Sequence, residues 1–156
     1  MDIWKRIYFD GFKRGMDFVI FFEENPIFNI GSFARSALIS REFVFLTDYL
    51  DLTVKTPNDL GFENDASYKD ICKRAVSLGL GLCPLYVGPV LRAAYEDQPY
   101  NDVLNIAMPP ICVYGFGPSI FNLWRMMGTM SINCTSGVSF YAWKRHHKFV
   151  FTVPRR

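Results

Sequence analysis

Arg92, Tyr95, Glu96, Asp97 and Gln98 fall in one short stretch of the chain. A guanidinium, a phenol, two carboxylates and an amide together are groups that hold an anion or a polar ligand. The residues from Val87 to Tyr95 read as a strand, which places Arg92 and Tyr95 on opposite faces. They converge only if that strand bends. The alternative is a plain turn, in which Asp97 and Gln98 tie down local backbone groups and Pro99 fixes the geometry. Arg92, Tyr95, Asp97 and Gln98 are the first candidates for contact with a ligand or partner.

The second constellation is Tyr141, Trp143, Lys144, Arg145, His147 and Lys148, with His146 inside it. Cations that neutralise phosphates beside rings that stack on bases are the ingredients of single-stranded nucleic-acid binding. The segment is short and matches no nucleic-acid module. A solvated, charged hairpin tip leading into a final strand accounts for the same residues.

Enzymatic chemistry finds less support. His146 and His147 are the only histidines, and neighbours on a strand point to opposite faces, a poor arrangement for shared metal ligation. Cys83, Cys112 or Cys134 beside a histidine would make a nucleophile pair, yet no local motif supports one. Gly115-Phe116-Gly117-Pro118 lacks the Lys-Ser/Thr ending of a phosphate loop. The four cysteines form no C-x-x-C pair, so they read as reduced, mostly buried thiols. No catalytic residue, metal or cofactor is assigned from the sequence.

Charge is distributed unevenly. All fifteen acidic residues lie between Asp2 and Asp102, while Arg125, Lys144, Arg145, Lys148, Arg155 and Arg156 follow them without a single Asp or Glu. Such a block either presents a positive surface to phosphates or packs beside the acidic part and neutralises it. At 156 residues, half hydrophobic and 17 % aromatic, the chain has the material for one packed domain. Neither a signal peptide nor a membrane span is legible: the longest early apolar run, Phe18 to Phe22, falls far short of the roughly 20 residues needed to cross a bilayer. The expected location is the cytoplasm.

Several elements must position these groups. Residues 2–22 read as a helix that Gly11 and Gly15 weaken, and Pro26 ends that region. A short helix is expected around Ser32 to Leu38. Phe43 to Leu46 and Leu52 to Val54 read as strand. The clearest element is an amphipathic helix over 67–78, opened by Ser67 with Asp70 three residues on and closed by Gly79. Later strands are expected at Val103 to Met108, Ile120 to Met126, Met130 to Thr135 and Phe149 to Val153, joined by short antiparallel links. The fold class is α+β: N-terminal helices, one central helix, and a mostly antiparallel C-terminal sheet, in a single domain over 1–156.

The middle of the chain carries a family likeness. Leu60-Gly61-Phe62, Leu78-Gly79-Leu80, Leu82-Cys83-Pro84, Val87-Gly88-Pro89, Leu91-Arg92, Tyr95, Asp97-Gln98-Pro99, Ile106-Ala107-Met108 and Pro110-Ile111 follow one another in order. Over residues 54–111 this resembles a group of small uncharacterised bacterial proteins with an L-G-F, helix, L-G-L-E-L-C-P-A-E-V-G-P, L-R-L-Q-Y-x-D-Q-P, I-A-M-x-P-I pattern. The resemblance implies a lineage, with no activity, ligand or cofactor attached to it. The two glutamates of that pattern are Gly81 and Tyr86 here, so neither position supplies a required carboxylate.

The sequence thus points first to a non-catalytic module that binds another protein. Its surplus of Phe, Tyr, Trp, Met and Arg is what interface cores favour. The same aromatics would also serve to fill a sheet core. Nucleic-acid binding through the basic C-terminal region is the second reading, and a small hydrolase or transferase near Arg92 and Asp97 the third. A homo-oligomer is compatible with all of them.

Overall fold

Ser67 does what its position suggests. In the computed structural model, which describes residues 2–9 and 11–155, its hydroxyl accepts the Asp70 backbone N–H at 3.1 Å. That bond satisfies one of the free donors of the first helical turn. The helix it opens, Tyr68–Ser77, is the third of four. The others are α1 (Gly15–Glu24), α2 (Ser32–Leu38) and α4 (Val87–Ala94), so Tyr68–Ser77 is α3. Tyr68, Ile71 and Ala75 form its buried stripe, as the spacing requires.

Among the described residues ten strands accompany the helices: β1 (Lys5–Tyr8), β2 (Phe28–Ile30), β3 (Tyr49–Lys55), β4 (Ala66–Ser67), β5 (Val103–Ile106), β6 (Ile111–Val113), β7 (Gly117–Met126), β8 (Thr129–Ser136), β9 (Ala142–Trp143) and β10 (Lys148–Val153). The main sheet runs β1-β3-β10-β5-β7-β8-β2, with β6 paired to β7, and β4 pairs β9 separately. Only β10–β5 and β2–β8 are parallel among the strand pairs. The fold is α+β with a mixed, mostly antiparallel sheet.

Alternation along the strands sorts the two faces. Phe121 of β7 packs against Gly88 of α4, where an added Cβ would lie 2.7 Å from its ring. Register carries that face through Ile106 to Val150. Phe149 therefore points the other way, where its ring meets Tyr68 of α3 at 6.1 Å and Trp143 of β9 at 5.1 Å. Helices α1, α2 and α4 lie against the first face, and α3 with the small β4–β9 sheet against the second. All the buried apolar residues but Met130 belong to one cluster.

Three expectations fail locally. Residues 2–22 are not one helix: Lys5–Tyr8 is a strand paired to β3, and the helix begins at Gly15. Asp10, within that expected helix, lies outside the described residues. The cross-strand partner of Ile7, Leu50, is far away in sequence, so local spacing could not announce it. Residues Phe43 to Leu46 form no strand. The Phe43 N–H donates to Lys13 O at 2.8 Å and the nearby pairing is a single Arg14–Glu42 bridge.

The third is Val87 to Tyr95, which is helix α4 as far as Ala94. Its valines suggested a strand, but Pro89 sits in the first turn, where no N–H is needed and φ is already helical. A proline in the middle of a presumed strand is itself a signal against that strand.

Candidate functional site

The helical form of α4 changes what Arg92 and Tyr95 do. Tyr95 is the first residue past the helix, and its backbone carbonyl rather than its ring meets Arg92, while the ring packs edge-on against Trp4. Arg92 is 0 % exposed. Its Nη2 donates to Tyr95 O at 2.7 Å and its Nη1 to Gln98 Oε1 at 2.6 Å. Gln98, also buried, donates onward through Nε2 to Leu123 O and Asp102 O, both at 3.0 Å. Burial pushes the Arg92 guanidinium down to about 10, and nearby Arg125 pushes in the same direction. This network ties the end of α4 and its following turn to β7. Arg92 Nε has no partner among the described residues, while Asp97 is exposed and takes no part in the network.

Around Trp143 the sequence grouped six residues, and the structure divides them. Trp143 is 5 % exposed, pairs with Ala66 and packs edge-on against Phe149. Lys144 Nζ lies 3.0 Å from Asp65 Oδ2, and Lys148 is ion-paired with Asp102. Arg145 donates through Nε to Phe62 O at 2.9 Å and also bonds Asn58. His147 Nδ1 accepts the Lys144 N–H at 3.0 Å. Tyr141 stands edge-on to Trp143 at 5.1 Å. Two of the cations are thus matched by carboxylates from the acidic part of the chain. The expected charged turn before β10 is present, but it joins two strands that belong to different sheets.

The four thiols are buried to different degrees. Cys83 is buried, Cys72 and Cys134 are half-buried, and Cys112 is exposed, all four free. Burial pushes Cys72 and Cys134 up to about 11, so neither is an activated thiolate at neutral pH. No group of three or more His, Cys, Asp or Glu able to hold a metal occurs among the described residues.

One concave feature was not singled out from the sequence. It is a cleft of about 210 Å³ between α1, α4 and the segment that follows β1. Five phenylalanines line it, namely Phe9, Phe12, Phe18, Phe21 and Phe45. Helix α4 contributes Val90, Ala93 and Ala94, at the spacing of a single face. Tyr8 completes the lining, and none of the described residues that line it is charged. Phe9 stacks on Phe45 at 5.0 Å, and both meet Tyr86 edge-on at 4.9 and 4.7 Å. The small side chains Ala93 and Ala94 leave the space that the rings enclose.

Phe9, Phe12, Phe21 and Phe45 are only half-buried, so the cleft presents aromatic surface to whatever enters it. Its chemistry is apolar, with no nucleophile, acid or base among the described residues on its walls. The signal available beforehand was the density of phenylalanine in residues 9–45. What it lacked was the partner wall, which α4 supplies from residues 90–94. No helix among the described residues is long and apolar enough to cross a membrane. No protein-family model matches the chain, and no curated protein or solved structure matches it either.

Proposed function

We propose that the protein is a non-catalytic, cytosolic binding module, and that its recognition element is the phenylalanine-lined cleft between α1 and α4. The observation that supports this reading is the lining itself: five Phe side chains and two Ala, with no charged group among the described residues, around about 210 Å³. Such a volume suits one large apolar side chain of a protein partner. Burial of one aromatic side chain in a preformed apolar pocket is how a few residues come to dominate an interface.

Side-chain mimics test the proposal. Toluene and indole, titrated into ¹⁵N-labelled protein, should shift the amides of Phe9, Phe45, Ala93 and Ala94, with dissociation constants on the order of 1 mM. Ala93→Phe, which fills the cleft from α4, should abolish those shifts. Shifts scattered over the surface, or shifts unchanged in Ala93→Phe and in Ala94→Phe, would refute it.

A further inference from the structure

The cleft opens beside a sheet edge. Strand β1 ends the order β1-β3-β10-β5-β7-β8-β2 and, among the described residues, pairs only with β3. Phe9 N–H donates to Asp48 O at 3.2 Å, continuing the antiparallel register in which Tyr8 faces Tyr49 and Ile7 faces Leu50. In an antiparallel ladder, residues that exchange hydrogen bonds with the partner alternate with residues that do not. Phe9, Ile7 and Lys5 then turn their N–H and C=O groups to β3. Arg6 and Tyr8 turn theirs outward, where no strand is paired among the described residues. An edge with free donors and acceptors is a template for another strand.

Side-chain alternation adds the specificity. Lys5, Ile7 and Phe9 share one face of β1, and Phe9 lines the cleft. Lys5 makes no ion pair among the described residues. Its Nζ is held over the Tyr95 ring at 5.0 Å and the Trp4 ring at 5.6 Å. The same face thus offers a cation at one end and an apolar pocket four residues further on. Arg6, by contrast, is already matched by Asp51 at 2.6 Å.

We propose that the outer edge of β1 takes an extended segment of a protein partner as an added strand. One aromatic side chain of that segment enters the cleft, and an acidic side chain on the same face, separated from it by three residues, lies beside Lys5. This rests on the reading of the cleft given above and adds the partner's conformation and charge. A second copy of the chain is a poor occupant, because its own β1 would bring Lys5 and Arg6 to an edge that already carries them.

Panning random peptides displayed on phage against the full chain tests this, followed by fluorescence polarisation of synthetic versions of the recovered sequences. The expected peptides carry an aromatic residue and an acid with three residues between them. N-methylation of the backbone amides at one alternate set of positions should cost about tenfold or more in affinity, and at the other set almost nothing. Lys5→Glu should remove the preference for the acid. Peptides that bind equally well with either set methylated would overturn strand addition, while loss of their binding in Ala93→Phe would still uphold the cleft. Recovered peptides indifferent to Ala93→Phe, or no recovered peptides at all, would overturn both readings.

Discussion

Arg92 Nη1 lies 2.6 Å from Gln98 Oε1, and the acceptors of this fully buried guanidinium are an amide and backbone carbonyls. No carboxylate forms an ion pair with Arg92 among the described residues. A buried charge held only by neutral acceptors depends on each of them. Gln98→Leu should therefore cost about 2–3 kcal/mol of stability in urea unfolding. In the Arg92→Met background the same change should cost less, because no charge is left to satisfy. A coupling of about 1 kcal/mol or more is expected from the double-mutant cycle. Additive losses would show that the two residues act separately.

Gly15 and Gly88 are each fixed by close approach. A Cβ on Gly15 would lie 1.8 Å from Leu38 O, and one on Gly88 would lie 2.7 Å from the Phe121 ring. The first clash is with backbone of α2, which cannot rotate away, and the second is with a ring of the core. Alanine would raise helix propensity by up to about 1 kcal/mol at either site. Overpacking should outweigh that gain, with a net loss of about 3 kcal/mol for Gly15→Ala and about 1 kcal/mol for Gly88→Ala. Thermal unfolding of the two variants measures the difference, and the order should hold even if both magnitudes shift.

His147 ties stability to pH. Burial holds its imidazole below the ordinary histidine range, and neighbouring His146 and Lys144 act in the same direction against Asp65. Its Nδ1 accepts the Lys144 N–H, a bond that protonation at Nδ1 removes. The depressed folded value means that the unfolded chain takes up the proton first as pH falls. The contribution of His147 is thus complete above about pH 6.5 and is lost as pH drops through the folded value. Urea midpoints should fall between pH 7.5 and pH 5.5. His147→Asn, whose amide oxygen can accept the same N–H, should flatten that fall.

The pairing of Lys144 with Asp65 and of Lys148 with Asp102 predicts weak attraction for nucleic acid. Few cations near Trp143 remain to displace counterions from a phosphate chain. Fluorescence anisotropy against labelled single-stranded RNA should give a shallow dependence of log K on log salt, with a slope no steeper than about −1.4, the value for two phosphate contacts. A steeper slope, abolished by changing Lys144, Arg145 and Lys148 to Glu, would make residues 141–148 a nucleic-acid surface.

Legibility varied with the range of the forces involved. The α3 helix could be read from Ser67, Asp70 and the spacing of Tyr68, Ile71 and Ala75, because cap and stripe lie within one local segment. Strands β7, β8 and β10 were readable for a similar reason, since alternation and turn residues are local. Helix α4 was misread because Val87 and Val90 outweighed Pro89. The correction follows from packing, for Gly88 lets that helix approach Phe121 closely enough to hold it. Strand β1 was misread because four residues of mixed character carry no period of their own.

The candidate residues show the same division. Arg92, Tyr95 and Gln98 could be singled out by type, yet only the helical placement of Arg92 and the turn after α4 brought its guanidinium to the Tyr95 carbonyl and the Gln98 amide, in a buried network that leaves Asp97 outside it. The basic block could be counted, but whether its charges are free or matched depended on where Asp65 and Asp102 lie. Composition, the strongest local helix and the α+β class were determined by the sequence itself, because propensity, capping and periodicity act between near neighbours. The aromatic cleft and the open edge of β1 were decided only by tertiary structure, because each is made by segments distant in the chain that long-range pairing and packing bring together.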